Sequence, residues 1–388
     1  MADSAGIVAA EAETADVVII GGGPVGSALA LALQPTGWRV VLLEARNAAT
    51  GDARPLALSY GTRLILERLG VWSALAANAT PIRHIHVSQQ GGFGRVGLEA
   101  AEAGLPELGY VIDYSALVRE LAGAAEASAA DCRIGARVEA WQGGSSARVQ
   151  YEMNGVQQIL TAPLIVVADG SGVTDAEVVD YQQCAVTARV VSERPHNNRA
   201  FERFTPHGPL ALLPDGAGWA LVWTTLPTRA QVLCEMDEQQ FLDELRAEFG
   251  SRVGDFTGVS GRAAYPLKLR RAPRTAPEHT VLIGNAAQTL HPVAGQGFNL
   301  GLRDAWELAE HALSANATPG TAAWLQSYHK RRNVDRGGGI GITHTLVQLF
   351  SNDLPPLRVA RGLGLTLLGC LPPLKNFLVR RMTFGARG

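Results

Sequence analysis

Short apolar stretches bounded by glycine or charged residues occur at residues 17–20 and 281–283, a pattern typical of strands buried on both faces. The segment WRVVLLEA, residues 38–45, reads as a third such strand and ends in Glu44. Between the first two strands along the chain, residues 27–33 are rich in alanine and leucine and predict a helix. The order strand, helix, strand predicts an α/β fold with a parallel sheet.

A different pattern of hydrophobic and polar residues begins further along the chain. Residues 181–228 alternate apolar and polar side chains and contain turn residues such as Pro206 and Gly208, which predicts a strand-rich domain with Trp219 and Trp223 on one strand face. Core packing is the simpler role for both tryptophans. Residues 238–250 form an amphipathic helical pattern ended by glycine.

Composition narrows the class of protein. The chain has 388 residues, 47% of them hydrophobic, which is enough for two interleaved domains. A net charge of −2 gives no global attraction for nucleic acid. The four cysteines are scattered, with no Cys/His cluster, so no metal site and no disulfide framework are expected. The acidic N-terminal residues argue against a signal peptide, no apolar run reaches transmembrane length, and the cytoplasm is the expected compartment.

A glycine-rich turn follows the first strand. Gly21, Gly23 and Gly26 satisfy GxGxxG, with Pro24 between the second and the third glycine. The first glycine permits the bend, the second lets a pyrophosphate approach the backbone and the third lets helix and strand pack closely. Glu44, at the end of the next strand, is placed to hold a ribose diol. The pattern predicts a dinucleotide site, but it does not separate a nicotinamide dehydrogenase from a flavoprotein.

The second motif is TVLIGNAAQTLHPVAGQGFNLGLRDAWELAEHAL, residues 280–313, a strand, a glycine-punctuated loop and an amphipathic helix from about Asn299. It resembles the second FAD-binding motif of the flavin aromatic-ring hydroxylases, the group that includes para-hydroxybenzoate hydroxylase. More narrowly, this motif, residues 52–72 and residues 104–121 are similar to the subfamily that hydroxylates polyprenylated phenols during ubiquinone synthesis.

The resemblance implies a set of FAD-binding positions. Gly21, Gly23, Pro24 and Gly26 would cradle the pyrophosphate, and Glu44 would bind the adenosine ribose. The remaining implied contacts with FAD come from Arg54, Arg119, Asp169, Asn285, Pro292, Gly295, Gln296, Gly297 and Asn299. Of these, residues 295–299 would present backbone amides to the pyrimidine edge of the flavin.

Two positions depart from the family pattern. The family commonly has histidine where this chain has Gln288, so a titrating role there is in doubt. The ADG motif at 168–170 continues without the usual arginine, which removes a charged contact from the expected set.

The resemblance also implies the chemistry. Reduced FAD would react with molecular oxygen to give a C4a-hydroperoxide that hydroxylates a phenolic ring, with NADPH or NADH as a transient electron donor. His291 is the candidate base for the phenolic proton, although such a histidine more often bonds a backbone group. Two alternatives stay open: a flavin-dependent reductase or dehydrogenase of the same fold, and a non-catalytic subunit of a ubiquinone-synthesis complex.

The implied organisation is a discontinuous Rossmann-like FAD-binding domain with an interleaved β-sheet substrate domain and a C-terminal helical tail. The FAD-binding domain would take residues 1–85, 105–180 and 262–345, the substrate domain residues 86–104 and 181–261, and the tail residues 346–388. From residue 354 onward the chain has basic residues among leucine-rich runs and no acidic residue. Such a tail is suited to binding one of three surfaces: the anionic inner face of the membrane, a partner protein, or its own FAD domain.

Overall fold

The computed structural model describes residues 12–47, 54–144, 147–170, 176–273, 278–289, 296–314, 317–333 and 355–385. The strands are β1 (Glu13–Thr14), β2 (Val17–Ile20), β3 (Val40–Glu44), β4 (Pro55–Ser59), β5 (Thr80–Ile82), β6 (His84–Gln89), β7 (Arg95–Glu99), β8 (Gly109–Asp113), β9 (Asp131–Ile134), β10 (Arg137–Gln142), β11 (Arg148–Met153), β12 (Val156–Thr161), β13 (Leu164–Val167), β14 (Glu177–Ser192), β15 (Arg199–Thr205), β16 (Gly208–Asp215), β17 (Gly218–Thr225), β18 (Phe256–Arg271), β19 (Thr280–Leu282) and β20 (Gln288–Thr289).

The α-helices are α1 (Pro24–Ala32), α2 (Tyr60–Arg68), α3 (Trp72–Ala76), α4 (Tyr114–Glu126), α5 (Pro227–Glu235), α6 (Glu238–Phe249), α7 (Gln296–Ser314), α8 (residues 322–333), α9 (Pro355–Cys370) and α10 (Pro372–Phe384). Short 3-10 helices lie at Gln34–Thr36, Ala101–Ala103 and Gly284–Ala286.

The predicted strand, helix, strand unit is confirmed as β2, α1 and β3. These strands belong to a five-stranded parallel sheet with the order β19-β13-β2-β3-β9. Both faces of the sheet are covered, which explains why its strands are apolar throughout. Val17 and Ile19 pack with Leu29 of α1 and with α7 and α8, whereas Val18 and Ile20 pack against β11 and β12. The two-domain α/β architecture expected from the sequence is thereby confirmed.

The alternating region forms an eight-stranded sheet with the order β20-β18-β14-β17-β16-β15-β6-β7. One face of this large sheet packs against α5 and α6. Trp219 and Trp223 lie on that face and are buried in the core, which confirms the core-packing role expected for both. The predicted helix at 238–250 is confirmed as α6, with Gly250 following its last residue.

Two smaller sheets complete the β-structure of the described residues. The strands β4, β8 and β5 form a three-stranded antiparallel sheet beside the N-terminus of α4. A four-stranded sheet, in the order β1-β12-β11-β10, covers one side of the parallel sheet. The sequence analysis did not predict this cover.

The helices α9 and α10 pack over the β6–β7 hairpin, where Leu365 and Val379 enter a core with Val96 and Leu98. Among the described residues, no single helix has both the length and the apolarity to cross a membrane. Only Val359–Cys370 and Pro372–Phe384 reach that composition together, and the chain bends by 97° between them.

Candidate FAD site

The glycine turn between β2 and α1 is shaped by close backbone packing. Gly21 has φ +105°, and a Cβ added there would lie 2.5 Å from the Cα of Asp169. A Cβ on Gly26 would lie 1.9 Å from the carbonyl oxygen of Gly21. These positions therefore require glycine for sterics alone, because no side chain fits.

Gly23 differs from its neighbours because no described residue packs closely against it. The nearest atom to a Cβ added at Gly23 would be a guanidinium nitrogen of Arg46, at 4.0 Å. Gly23 is the N-cap residue of α1, Pro24 opens the helix, and no side chain of the described residues caps it. The first-turn amides and the positive end of the helix dipole are thus presented to a space suited to a diphosphate.

Glu44 is held beside this turn at the end of β3. Its Oε2 accepts a hydrogen bond from the amide of Gly22 at 2.8 Å, and its Oε1 accepts from the backbone amide and the Nε of Arg46, both at 2.9 Å. Burial alone would raise the pKa of Glu44, but the hydrogen bonds and charge of Arg46 outweigh it and hold this pKa below its ordinary value. Glu44 is therefore an ionised acceptor at the edge of the glycine turn.

Asn285 and Asp169 follow adjacent parallel strands. The strands β13 and β19 pair in parallel, so the segments after their carboxyl ends meet at one edge of the sheet. A Cβ added at Gly170 would lie 3.9 Å from the Cβ of Asn285, and both Asp169 and Asn285 are exposed. The structure thus brings these two predicted residues to the same edge as Gly21.

Arg54 lies against two aromatic rings from different parts of the chain. Its guanidinium carbon is 4.7 Å from the centroid of Tyr114, at the start of α4, and 5.9 Å from the centroid of Tyr265, on β18. Cation–π contacts of this kind orient an exposed arginine. Arg54 thus joins the small sheet to the large one, a role that its spacing along the chain could not indicate.

Arg119 occupies a more exposed position on α4. Its side chain is 66% exposed and forms an ion pair with Glu120 at 3.1 Å. Among the described residues, it forms no hydrogen bond, ion pair or ring contact with Arg54 or with the glycine turn. Its role toward the cofactor stays a prediction.

The second motif is only partly described. His291, Pro292 and Gly295 lie outside the described residues, as does the side chain of Gln296. The helix α7 begins at Gln296, so the predicted start near Asn299 was wrong. The physical reason is that Gly297 and Gly301 do not form a loop but lie within the helix, where glycine permits close packing. A Cβ on Gly301 would lie 3.1 Å from the Cα of Gly284. Among the described residues, nothing lies within 4 Å of a Cβ added at Gly297.

Asn299 is buried, and its side chain is used within the protein. Its Oδ1 accepts hydrogen bonds from the amide of Ser59 at 2.8 Å and the hydroxyl of Thr62 at 2.6 Å, while its Nδ2 donates to the carbonyl of Ala57 at 3.1 Å. These bonds fasten α7 to β4 and α2. The side chain of Asn299 therefore holds the first turn of α7 against β4 and α2.

A buried polar centre that the sequence did not predict surrounds Asp304 of α7. Arg332 of α8 donates to Asp304 Oδ1, from Nε at 2.9 Å, and both side chains are almost wholly buried. Asp304 Oδ2 accepts from the amide of Gly284 at 3.1 Å and from Gln288 at 2.9 Å. Gln288 thus has a structural partner that needs no titrating group. The only sequence signal was an aspartate at a core position of an amphipathic helix.

Comparison with known proteins agrees with this geometry. The family model described as "FAD binding domain" matches residues 14–335. The chain is 35% identical to the ubiquinone hydroxylase UbiL of Rhodospirillum rubrum, covering 95% of this chain and 89% of that protein. It is 33% identical to the 3-demethoxyubiquinol 3-hydroxylase of Escherichia coli, covering 90% and 93%. The solved structure of p-nitrophenol 4-monooxygenase PnpA from Pseudomonas putida has a TM-score of 0.76 at 18% identity, covering 97% of this chain and 100% of that one.

Proposed function

The chain belongs to the FAD binding domain family, and on that premise we propose that it hydroxylates the aromatic ring of a polyprenylated phenol, of the 2-polyprenyl-6-methoxyphenol type, in ubiquinone synthesis. The observation that carries the proposal is the match of nearly the whole chain to a ubiquinone hydroxylase at 35% identity. The family makes the protein an FAD-dependent aromatic-ring hydroxylase. The substrate class comes from the relatives' names.

The residues present fit FAD. The open Gly23 and the uncapped α1 amides would take the diphosphate, and Glu44 the adenosine ribose. Asn285 would meet the ribityl side, and the start of α7 would present amides to the flavin ring. FAD, when bound, supplies the redox chemistry that activates dioxygen. The protein's own task is to hold the ring of the substrate beside the flavin and to exclude water.

NADPH or NADH is the proposed electron donor. The sequence holds a single strand-associated GxGxxG, at residues 21–26, and that turn is assigned to FAD. The nicotinamide nucleotide would therefore bind transiently, without a nucleotide-binding fold of its own. His291 stays the proposed base within the second motif.

A direct test uses the purified holoenzyme with NADPH or NADH and 2-geranylphenol, a phenol with a short prenyl chain. We expect oxygen uptake that depends on the phenol, and a product that gains one oxygen atom from isotopically labelled dioxygen. Oxidation of the nucleotide without labelled product would favour the reductase alternative. Purification without retained FAD would favour the non-catalytic subunit.

We also propose that α9 and α10 bring the protein to an anionic membrane surface, where the insoluble substrate resides. Six large apolar side chains of this region are exposed, with between 42% and 66% of their surface accessible: Val359, Leu363, Leu367, Leu371, Leu374 and Phe377. An apolar surface of this size on helices is typical of a membrane or partner contact. We refer to these six residues as the apolar helix surface.

The charges of the same segment support a lipid partner. Arg361 and Lys375 are buried against the protein, and Lys375 pairs with Glu102, so these charged groups do not interrupt the apolar helix surface. Arg380 is exposed at the far end of α10, and residues 354–388 contain no acidic residue. Exposed apolar residues on a segment that carries basic and no acidic residues of its own complement an anionic bilayer.

A further inference from the structure

One row of residues crosses the large sheet on the face that points away from α5 and α6. Direct cross-strand pairs define it: Ala263–Thr187, Thr187–Val222, Val222–Ala211, Ala211–Glu202 and Glu202–Val87. Directly paired residues project to the same side of a sheet. Val222 lies between Leu221 and Trp223, which both pack toward α5 and α6, so the row projects to the opposite side. Glu202 is the only charged residue in it.

Contacts with the small sheet lie on both sides of this row. Two residues before Thr187 along β14, Ala185 pairs with Tyr265, whose ring contacts Arg54. Two residues after Thr187, Arg189 donates to Asp113 at 3.4 Å.

Arg54 and Asp113 are themselves neighbours. Pro55 pairs with Asp113, and the amide of Tyr114 donates to the carbonyl of Arg54 at 3.1 Å. The end of the β4–β8 pair therefore approaches the large sheet on both sides of the row. Along β14, the four residue steps from Ala185 to Arg189 span roughly 14 Å at about 3.4 Å per residue, which is longer than an aromatic ring.

Glu202 stands out within this row because its surroundings are apolar. On the same face of β15 its neighbours are Ala200 and Phe204, both buried, and across the sheet they are Val87 and Ala211. Its side chain is partly buried, and it forms no hydrogen bond or ion pair with any of the described residues. Burial raises the pKa of Glu202 to about 7. A carboxyl in such a place is costly unless a ligand group satisfies it.

We infer that Glu202 binds the phenolic hydroxyl of the substrate on the sheet face, as an inference that rests on the proposed function. The hydroxyl donates a hydrogen bond to the carboxylate. When its proton passes to a carboxylate oxygen, the electron pair of the O–H bond stays on the phenolic oxygen and enriches the ring for attack by electrophilic oxygen. The proton returns to the phenolic oxygen once the hydroxylated ring regains aromaticity. The prenyl chain would extend along the small apolar residues of the row.

The test compares two ligands on the holoenzyme: 2-geranylphenol and its methyl ether, 2-geranylanisole, which lacks the donor hydrogen. Dissociation constants come from the change in flavin absorbance during titration. We expect the wild-type protein to bind the phenol about ten-fold or more tightly than the ether, because a hydrogen bond to a charged group has this strength. Glu202→Leu, which removes every acceptor at this position, should bind the two ligands with nearly equal affinity, and Glu202→Gln, whose amide oxygen accepts only a neutral hydrogen bond, should keep part of the preference. Glu235→Gln, at an exposed position on α5, is the matched control and should behave as wild type.

A merely structural role for Glu202 would weaken both ligands equally and leave their ratio unchanged. A preference that survives in Glu202→Leu, or a wild-type protein that does not distinguish the ligands, would overturn the inference. Phenol-dependent oxygen uptake by the wild-type protein is measured separately. If phenol-dependent oxygen uptake occurs while the preference for the phenol survives in Glu202→Leu, the proposed function stands and only the role of Glu202 fails.

Discussion

Arg332 and Asp304 form an ion pair whose two side chains are almost wholly removed from solvent, between α8 and α7. Asp304 also accepts from Gln288 and from the amide of Gly284, at the start of the second FAD motif. The helix that would face the flavin is thus tied to the strand and loop that precede it. Removing one partner of such a buried pair strongly destabilises the folded protein, because the other charge stays buried without a partner.

Asp304→Ala should therefore lower the free energy of unfolding by about 3–5 kcal/mol, and should weaken FAD retention because the loop carrying Asn285 loses its anchor. Denaturant unfolding followed by tryptophan fluorescence, together with the flavin content of the purified protein, measures both effects. The control is Glu310→Ala, which removes the partly exposed ion pair with Arg331 and should cost at most about 1 kcal/mol. Equal losses in the two variants would contradict the assigned importance of the buried pair.

Gly26→Ala should prevent FAD binding and destabilise the fold. The new Cβ would lie 1.9 Å from the carbonyl oxygen of Gly21, so the turn or the helix must move. The measurement is flavin stoichiometry after purification, with thermal unfolding beside it. Gly123→Ala on α4 is the matched control, because a Cβ there meets nothing within 4 Å and alanine favours helix. A Gly26→Ala protein with full flavin content would refute the packing argument.

The part of the fold that the sequence predicted is the part encoded locally. The apolar residues 17–20, the glycine spacing and the acid at Glu44 all lie within one strand, helix, strand unit, so its geometry follows from neighbouring residues. The start of α7 was misplaced because Gly297 and Gly301 suggested a loop, whereas close packing against Gly284 lets glycine continue the helix. A glycine alone does not show which of these two roles it has.

The polar contacts inside the site were beyond sequence reasoning for a different reason. Asp304 and Arg332 lie on separate helices. The row that contains Glu202 is formed by pairing of six strands, which are far apart in the sequence. Nothing in the local pattern around Glu202 distinguishes it from a solvated charge. Only the register of the large sheet reveals that it faces the apolar row.

Glu44→Gln should weaken both the glycine turn and the binding of FAD. Because hydrogen bonds and the charge of Arg46 outweigh burial and lower the pKa of Glu44, its contribution to stability is present above the ordinary value of 4.5 and is lost as the pH falls through the lower, folded-state pKa. Denaturant unfolding of the apoprotein should therefore show a deficit for Glu44→Gln at pH 7 that shrinks toward acid pH. A deficit that is the same at every pH would mean that the charge of Glu44 does not matter. Flavin titration at pH 7 should show affinity reduced by roughly ten-fold, through the weakened ribose contact.

The apolar helix surface should control binding to lipid vesicles. Leu363 and Phe377 are 58% and 66% exposed, so replacing both by serine removes apolar area without disturbing the core. Sedimentation with vesicles of phosphatidylglycerol and phosphatidylcholine should show binding that falls by roughly ten-fold for each side chain, since burial of a large apolar group contributes about 1.5–3 kcal/mol. Val156→Ser, at a 58% exposed valine of β12, is the control and should leave binding unchanged. Salt should weaken binding of the wild-type protein to the anionic vesicles, because basic residues such as Arg380 contribute through charge. If Leu363→Ser/Phe377→Ser sediments like the wild type, the surface contacts something other than lipid, and a partner protein becomes the better explanation for its exposure.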